Sequence, residues 1–305
     1  DVLLGKPMPV AGAGQFYRDW AAGSRAMDPA RQVQWLIDTP ERLSQYHQLA
    51  RQTGQRLRIS LEIDIGLHRG GFPNPSALDP VLAEIESSDH LELAGFMGYE
   101  PHIAKAPGPA SWHRDRAMSL YRAFVEHAEA QLGRSLRDLT LNTGGSSTYT
   151  LYPGATNVIA NEIAAGSALV KPTDFDLPNL AHHQPAAFIA TPVLKVTDTE
   201  IPAAPGLAAL MALWNPNRSK AVFIYGGYWK ARPVSPPGLS PNPVYGRSTN
   251  QEMLNASSGN TLIPDDRVFL RPTQSEKVLL NFGSLAVFST RSGAVTGFWP
   301  VLTNG

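Results

Sequence analysis

Up to about residue 170, short apolar or β-branched runs alternate with stretches whose apolar residues recur at helical spacing. That alternation predicts a parallel sheet with crossover helices. The strand runs are Val2 to Leu4, Val33 to Ile37, Leu57 to Asp64, Leu91 to Tyr99, Leu139 to Asn142 and Glu162 to Val170. Thr39-Pro40-Glu41 reads as an N-cap with proline at the first helical position, opening a helix to about Thr53. Ala77 to Glu86 and Ser111 to Leu132 carry the helical period, with Gly133 placed as a stop.

From about Ala186 the texture changes. AFIATPVLKVT, AVFIYGGYW, RVFLRP, KVLLNFG, LAVFST and AVTGFWPVL read as strands separated by Pro, Gly, Asn and Asp clusters, the pattern of an antiparallel β domain. Ala231 to Asn260, rich in Pro, Ser, Asn and Gly, reads as a long loop. The sequence therefore divides into an α/β domain over 1–180 and a β domain over 181–305. A TIM-type (β/α)8 barrel takes about 250 residues, roughly 30 per unit. With six units visible, the expectation is such a barrel with its front two units, on the order of 60 residues, upstream of Asp1.

Composition narrows the function. Lys plus Arg and Asp plus Glu are both 26, giving a net charge of zero, and no basic block offers a footprint for nucleic acid or an anionic membrane. There is no cysteine, which removes disulfides, thiolate metal sites and cysteine nucleophiles and fits a cytoplasmic setting. No apolar run has the length of a membrane span. The expected partner is a small molecule.

The candidate chemistry sits where strands end. LEIDIGLHRGGF runs a strand into a Gly66 turn and delivers His68 and Arg69 to the strand's C-terminal end, where barrels and α/β sheets bind ligands. LELAGFMGYEPH repeats this with Tyr99, Glu100 and His102. A solvated loop around Arg69 and a structural His102 account for the same residues. The strongest local signal is LTLNTGGSSTYTLY, a strand followed by Asn142-Thr143-Gly144-Gly145-Ser146-Ser147-Thr148-Tyr149. Two glycines allow close backbone approach, and successive N–H groups with hydroxyls make a neutral cradle for one phosphate. Without a Walker lysine or GxGxxG, a singly phosphorylated cofactor suits it better than a dinucleotide.

Taken together, EIDIGLHRGGF, GFMGYEPH, LNTGGSSTY, NEIAAGSALV and RPTQSEKVLLNFG followed by GAVTGFWPVL stand in an order and spacing that resembles the D-serine dehydratase and D-threonine aldolase-like family. These are fold-type III pyridoxal-phosphate enzymes related to alanine racemase, and the resemblance covers nearly the whole chain. It implies an N-terminal barrel holding pyridoxal 5'-phosphate, a C-terminal β domain and a homodimer. By the same resemblance, His68, Arg69, Tyr99, Asn142, Gly144, Gly145, Ser146 and Ser147 surround the cofactor, and His102, Tyr99 and Arg69 carry catalysis.

The implied function is a lyase acting on D-amino acids, by D-serine dehydration and deamination or by D-threonine-type aldol cleavage. A racemase with Tyr228 of the partner as second base, and a cofactor-binding protein without turnover, are the alternatives. Two features depart from the family. Its Schiff-base lysine lies in an RPHxKTHK-like segment that this chain lacks, and Lys6 stands where the family has a later strand, so that lysine is expected upstream of residue 1. Its metal pair, His-x-Cys or His-x-Asp, falls on Gln274-x-Glu276, a poor zinc set whose oxygens could still take a divalent magnesium or manganese ion or simply form a polar loop, so no metal ligand is assigned. Tyr225 to Lys230 suit either a partner's site or the core, and Trp299 reads as a packing residue.

Overall fold

A computed structural model describes residues 1–23, 27–199, 215–243 and 245–301. The chain divides into two compact units, Asp1–Gly166 and Ser167–Gly305. The sequence texture sets the division later, after residue 180, because 167–180 carries apolar residues. In the structure these form short 3-10 turns at Ser167–Leu169, Thr173–Phe175 and Pro178–Leu180.

In the first unit β1 (Val2–Leu3), β2 (Val33–Ile37), β3 (Leu57–Ile63), β4 (Leu91–Gly98), β5 (Thr140–Thr143) and β6 (Glu162–Ile163) form one six-stranded sheet in sequence order. Every pairing is parallel. Only Glu162 and Ile163 of the run expected to continue to Val170 pair as strand. Gln34 of β2 donates through Nε2 to Thr140 Oγ1 of β5 at 2.8 Å, although β3 and β4 lie between them. Adjacent strands stand about 4.8 Å apart, so a flat sheet would separate these two by roughly 14 Å. The sheet is therefore curled into a half-barrel.

Its helices are α1 (Val10–Ala22), α2 (Pro29–Gln32), α3 (Pro40–Thr53), α4 (Asp79–Glu86) and α5 (Ala110–Leu132). Thr39 caps α3 by accepting from Arg42 N at 3.1 Å, and Gly133, at φ 65°, ends α5. Helix α1 is not apparent from its VAGAGQF opening, since glycine disfavours helix. Tertiary packing overrides that preference. Tyr17 of α1 is buried with its hydroxyl accepting from Trp35 Nε1 at 3.0 Å, beside Phe16 and Tyr46.

The second unit holds β7 (Ile189–Asp198), β8 (Lys220–Tyr225), β9 (Ala231–Ser235), β10 (Ser240–Pro241), β11 (Gln251–Ala256) and β12 (Arg267–Pro272). They pair in the order β10-β11-β8-β7-β12-β9, all antiparallel, and edge strands β9 and β10 lie side by side, so this sheet is a nearly closed barrel. Strands β13 (Leu285–Ser289) and β14 (Ala294–Trp299) form a separate hairpin.

Three expectations are corrected in this unit. The stretch Ala231 to Asn260 contains β9, β10 and β11 and is not a single loop. QEMLNA looks polar, yet Glu252 and Asn255 are buried because each finds a partner. Arg247 pairs with Glu252, and Asn242 Nδ2 donates to Asn255 Oδ1 at 2.7 Å. KVLLNFG is not a strand: Ser275–Leu279 is a short helix, α6, after which the chain turns. Trp299 is 64% exposed rather than packed.

Candidate active site

Parallel strands deliver their following loops to one rim, and the loops after β3, β4 and β5 bring the expected residues together there. After β3, Asp64 accepts from Gly66 N at 2.9 Å and His68 N at 3.0 Å, folding the turn back on itself. Burial raises the Asp64 pKa, but the hydrogen bonds from His68 and Gly66 outweigh it, and the carboxyl is held below its usual range. His68 itself lies in the left-handed region at φ 55°, with Nδ1 2.6 Å from Asp64 Oδ2 and the side chain 81% exposed. Asp64, in sequence no more than a strand terminus, is what orients this turn.

Arg69 continues the turn and places its guanidinium 4.7 Å from the centre of the Tyr99 ring. Tyr99 in turn lies against Gly145: a β-carbon there would meet Tyr99 Cε2 at 2.7 Å. Three loops thus contribute to one stack, Arg69 on Tyr99 on Gly145. His102, from the β4 loop, stands against the turn after β3, its Nε2 3.5 Å from where a β-carbon on Gly66 would be. Burial lowers the His102 pKa and the Glu100 charge restores only part of it, so the imidazole is neutral at neutral pH.

The glycine turn after β5 is organised differently from a cradle of free amides. Gly144 N donates to Glu100 Oε2 at 3.2 Å, and Thr148 N and Tyr149 N both donate to Gly145 O. Gly145 to Ser147 lie between these anchored ends. Ser146 Oγ accepts from Gly166 N at 3.1 Å, and Ser147 is half-buried beside it. Asn142 lies below the turn, nearly buried, with Nδ2 donating to Glu162 Oε1 at 2.6 Å.

Two side-chain atoms at these strand ends, His102 Nδ1 and Asn142 Oδ1, are buried without a hydrogen-bond partner. Leaving such an atom unpaired costs about 1–3 kcal/mol. Orphaned polar atoms, a neutral glycine-serine turn and a guanidinium held on an aromatic face fit a small phosphorylated aromatic group.

The β-unit pair singled out as a metal position is engaged internally. Glu276 Oε1 accepts from Ser167 Oγ at 2.7 Å, and Ser167 Oγ lies 2.8 Å from Ser275 Oγ. The hydrogen bond from Ser167 holds the Glu276 carboxyl below its usual range. Gln274 Oε1 takes Lys230 Nζ at 3.4 Å. Among the described residues no group of three His, Cys, Asp or Glu side chains could hold a metal ion. The donor set does not fit the imidazole and thiolate preference of zinc. Tyr225 and Tyr228 are exposed, and Tyr228 N is fixed by Glu252 Oε2 at 2.8 Å with Arg247 over its ring.

The model of the alanine racemase N-terminal domain matches residues 16–174, more than half of the sequence. The chain belongs to that family. Within the alanine racemase N-terminal domain family, a stretch of 92 residues is 29% identical to alanine racemase of Helicobacter pylori (strain G27), spanning 30% of this chain but 23% of the racemase. Among solved structures, D-threonine aldolase from Filomicrobium marinum superposes with a TM-score of 0.74 at 14% identity, over 98% of this chain and 75% of the aldolase. D-threo-3-hydroxyaspartate dehydratase from Delftia sp. HT23 gives 0.67 at 13% identity, over 99% and 79%. An alanine racemase of Clostridium difficile 630 gives 0.60 at 14%, over 88% and 66%. The likeness establishes the expected fold for both units, a partial barrel followed by an antiparallel β domain. Among the described residues no helix is long and apolar enough to cross a membrane.

Proposed function

We propose that this chain belongs to a pyridoxal-phosphate-dependent lyase acting on D-amino acids that carry a β-hydroxyl, by dehydration and deamination or by aldol cleavage. The observation that carries the reading is the three-loop stack of Arg69, Tyr99 and Gly145 beside a half-buried, neutral His102. The fold neighbours that overlap nearly all of the chain include an aldolase and a dehydratase, which supports the same class.

Bound pyridoxal phosphate supplies a conjugated electron sink for charge developing at the substrate α-carbon. Gly145, Ser146 and Ser147 would hold its phosphate through backbone N–H groups and hydroxyls. Arg69, stacked on Tyr99, would supply a positive charge toward the cofactor ring and so would disfavour protonation of its pyridine nitrogen. His102, neutral at working pH, takes or returns a proton at the substrate.

A racemase is the second reading, supported by the family and by the curated relative. It needs a base on the opposite face, and Tyr228, exposed and fixed by Glu252 and Arg247, is the candidate, offered by a partner chain in a homodimer. Product analysis decides between them. Incubation of the cofactor-loaded protein with D-serine and D-threonine gives a 2-oxo acid and ammonia, or glycine and an aldehyde, if it is a lyase. Appearance of the L-enantiomer with no loss of amino acid makes it a racemase.

A further inference from the structure

Glu100 is a carboxylate with no exposed surface, yet among the described residues it forms no ion pair. Its partners are neutral donors on both flanks of the glycine turn. On one side Oε2 accepts from Thr143 Oγ1 at 2.9 Å and from Gly144 N at 3.2 Å. On the other, Oε1 accepts from Thr148 Oγ1 at 2.7 Å. A single side chain thus ties the entry and the exit of the turn together. Burying a carboxylate among neutral donors is costly, and an apolar filler would usually serve stability as well or better. The neighbouring Tyr99 presses on the middle of the same turn at Gly145. Two consecutive residues after β4 therefore fix three points of the segment from Thr143 to Thr148.

We infer that Glu100 is a positioning residue that sets the turn so that Gly145, Ser146 and Ser147 present their donors to a phosphate. It acts through Thr143, Gly144 and Thr148 and does not touch the ligand. The inference rests on the reading of the rim as a pyridoxal-phosphate site. The role is one of geometry: a glutamine fills the same space, its oxygen can take the Gly144 N–H, and the Thr148 hydroxyl can rotate to accept from its amide.

The test compares binding of pyridoxal 5'-phosphate with binding of pyridoxal, which lacks the phosphate, using the full chain and its variants Glu100→Ala, Glu100→Gln and Thr148→Val. A merely structural role lowers both affinities together, whereas a positioning role changes their ratio. Glu100→Ala is expected to reduce the preference for the phosphorylated form by about tenfold, the effect of misaligning one charge-assisted hydrogen bond. Thr148→Val reduces it less, and Glu100→Gln restores it. Should Glu100→Ala fail to fold, Thr148→Val alone decides. A wild-type preference for the phosphorylated form that survives in the folded Ala and Val variants overturns the inference and leaves the cofactor reading standing. A wild-type protein with no such preference removes that reading, and the inference with it.

Discussion

Tyr99 lies so close to Gly145 that a β-carbon on residue 145 would stand 2.7 Å from Tyr99 Cε2. That contact joins the β4 loop to the turn after β5 and makes residue 145 intolerant of any side chain. Gly145→Ala should push the ring aside, destabilise the fold by about 1–3 kcal/mol and weaken pyridoxal-phosphate binding. Urea denaturation and a cofactor titration of the same variant measure the two effects. A variant unchanged in both would mean that the stack is loose.

Removing the cation from the stack should act on chemistry more than on folding. Arg69→Gln leaves Tyr99 on Gly145 and costs about 0.5–1 kcal/mol of stability through the lost cation–π contact. Because the pyridine nitrogen is then free to take a proton, product partition should shift and kcat should fall with little change in KM. Steady-state kinetics with D-serine reads this directly.

The depressed pKa of His102 gives a signed pH dependence. As pH falls below about 6.5 the unfolded chain takes up this proton before the folded one does, so stability rises with pH in that window. Neutral His102 stabilises the fold fully above about 6.5, and its contribution is lost as pH falls toward the folded value. His102→Asn should flatten the change in denaturation free energy between about pH 7 and about pH 5.5. A slope equal to that of the wild type would place the titration elsewhere.

Away from the rim, His47 of α3 reaches α4 and the turn that follows it, one ring nitrogen to each. Nδ1 lies 2.7 Å from Glu84 Oε1 and Nε2 lies 2.9 Å from Ser88 Oγ. Replacing it by alanine should cost about 1–3 kcal/mol while leaving cofactor binding intact. Denaturation paired with a cofactor titration separates this from the rim variants.

Chelation should have no effect on folding. Glu276 is taken by Ser167 and Gln274 by Lys230, so EDTA is expected to leave Tm unchanged and added zinc to leave it unraised. A fall in Tm on chelation would point to a metal held by other residues.

Much of the fold could be read from the chain because local signals and tertiary demands agree there. Thr39-Pro40 and Gly133 bound their helices by backbone chemistry alone, and the buried strands VQWLI and LELAGFMG carry their own apolar runs. Helix α1 was hidden by its glycines, whose cost is met by packing of Tyr17 against Trp35, a contact between distant residues. Strand β11 was hidden because Glu252 and Asn255 look solvent-facing until Arg247 and Asn242 are seen beside them. At the rim, the strand-end positions of Arg69, Tyr99, Glu100, His102 and the glycine turn are legible. The holding roles of Asp64 and Glu100 are not, since a carboxylate in a loop carries no sequence mark of what it accepts.

A crystal structure of the full chain with pyridoxal 5'-phosphate should place the phosphate on the Gly145 to Ser147 segment and the ring beside Arg69 and Tyr99, within reach of His102. A phosphate bound elsewhere, or a Gly145 to Ser147 segment closed by protein atoms with the cofactor excluded, would contradict it.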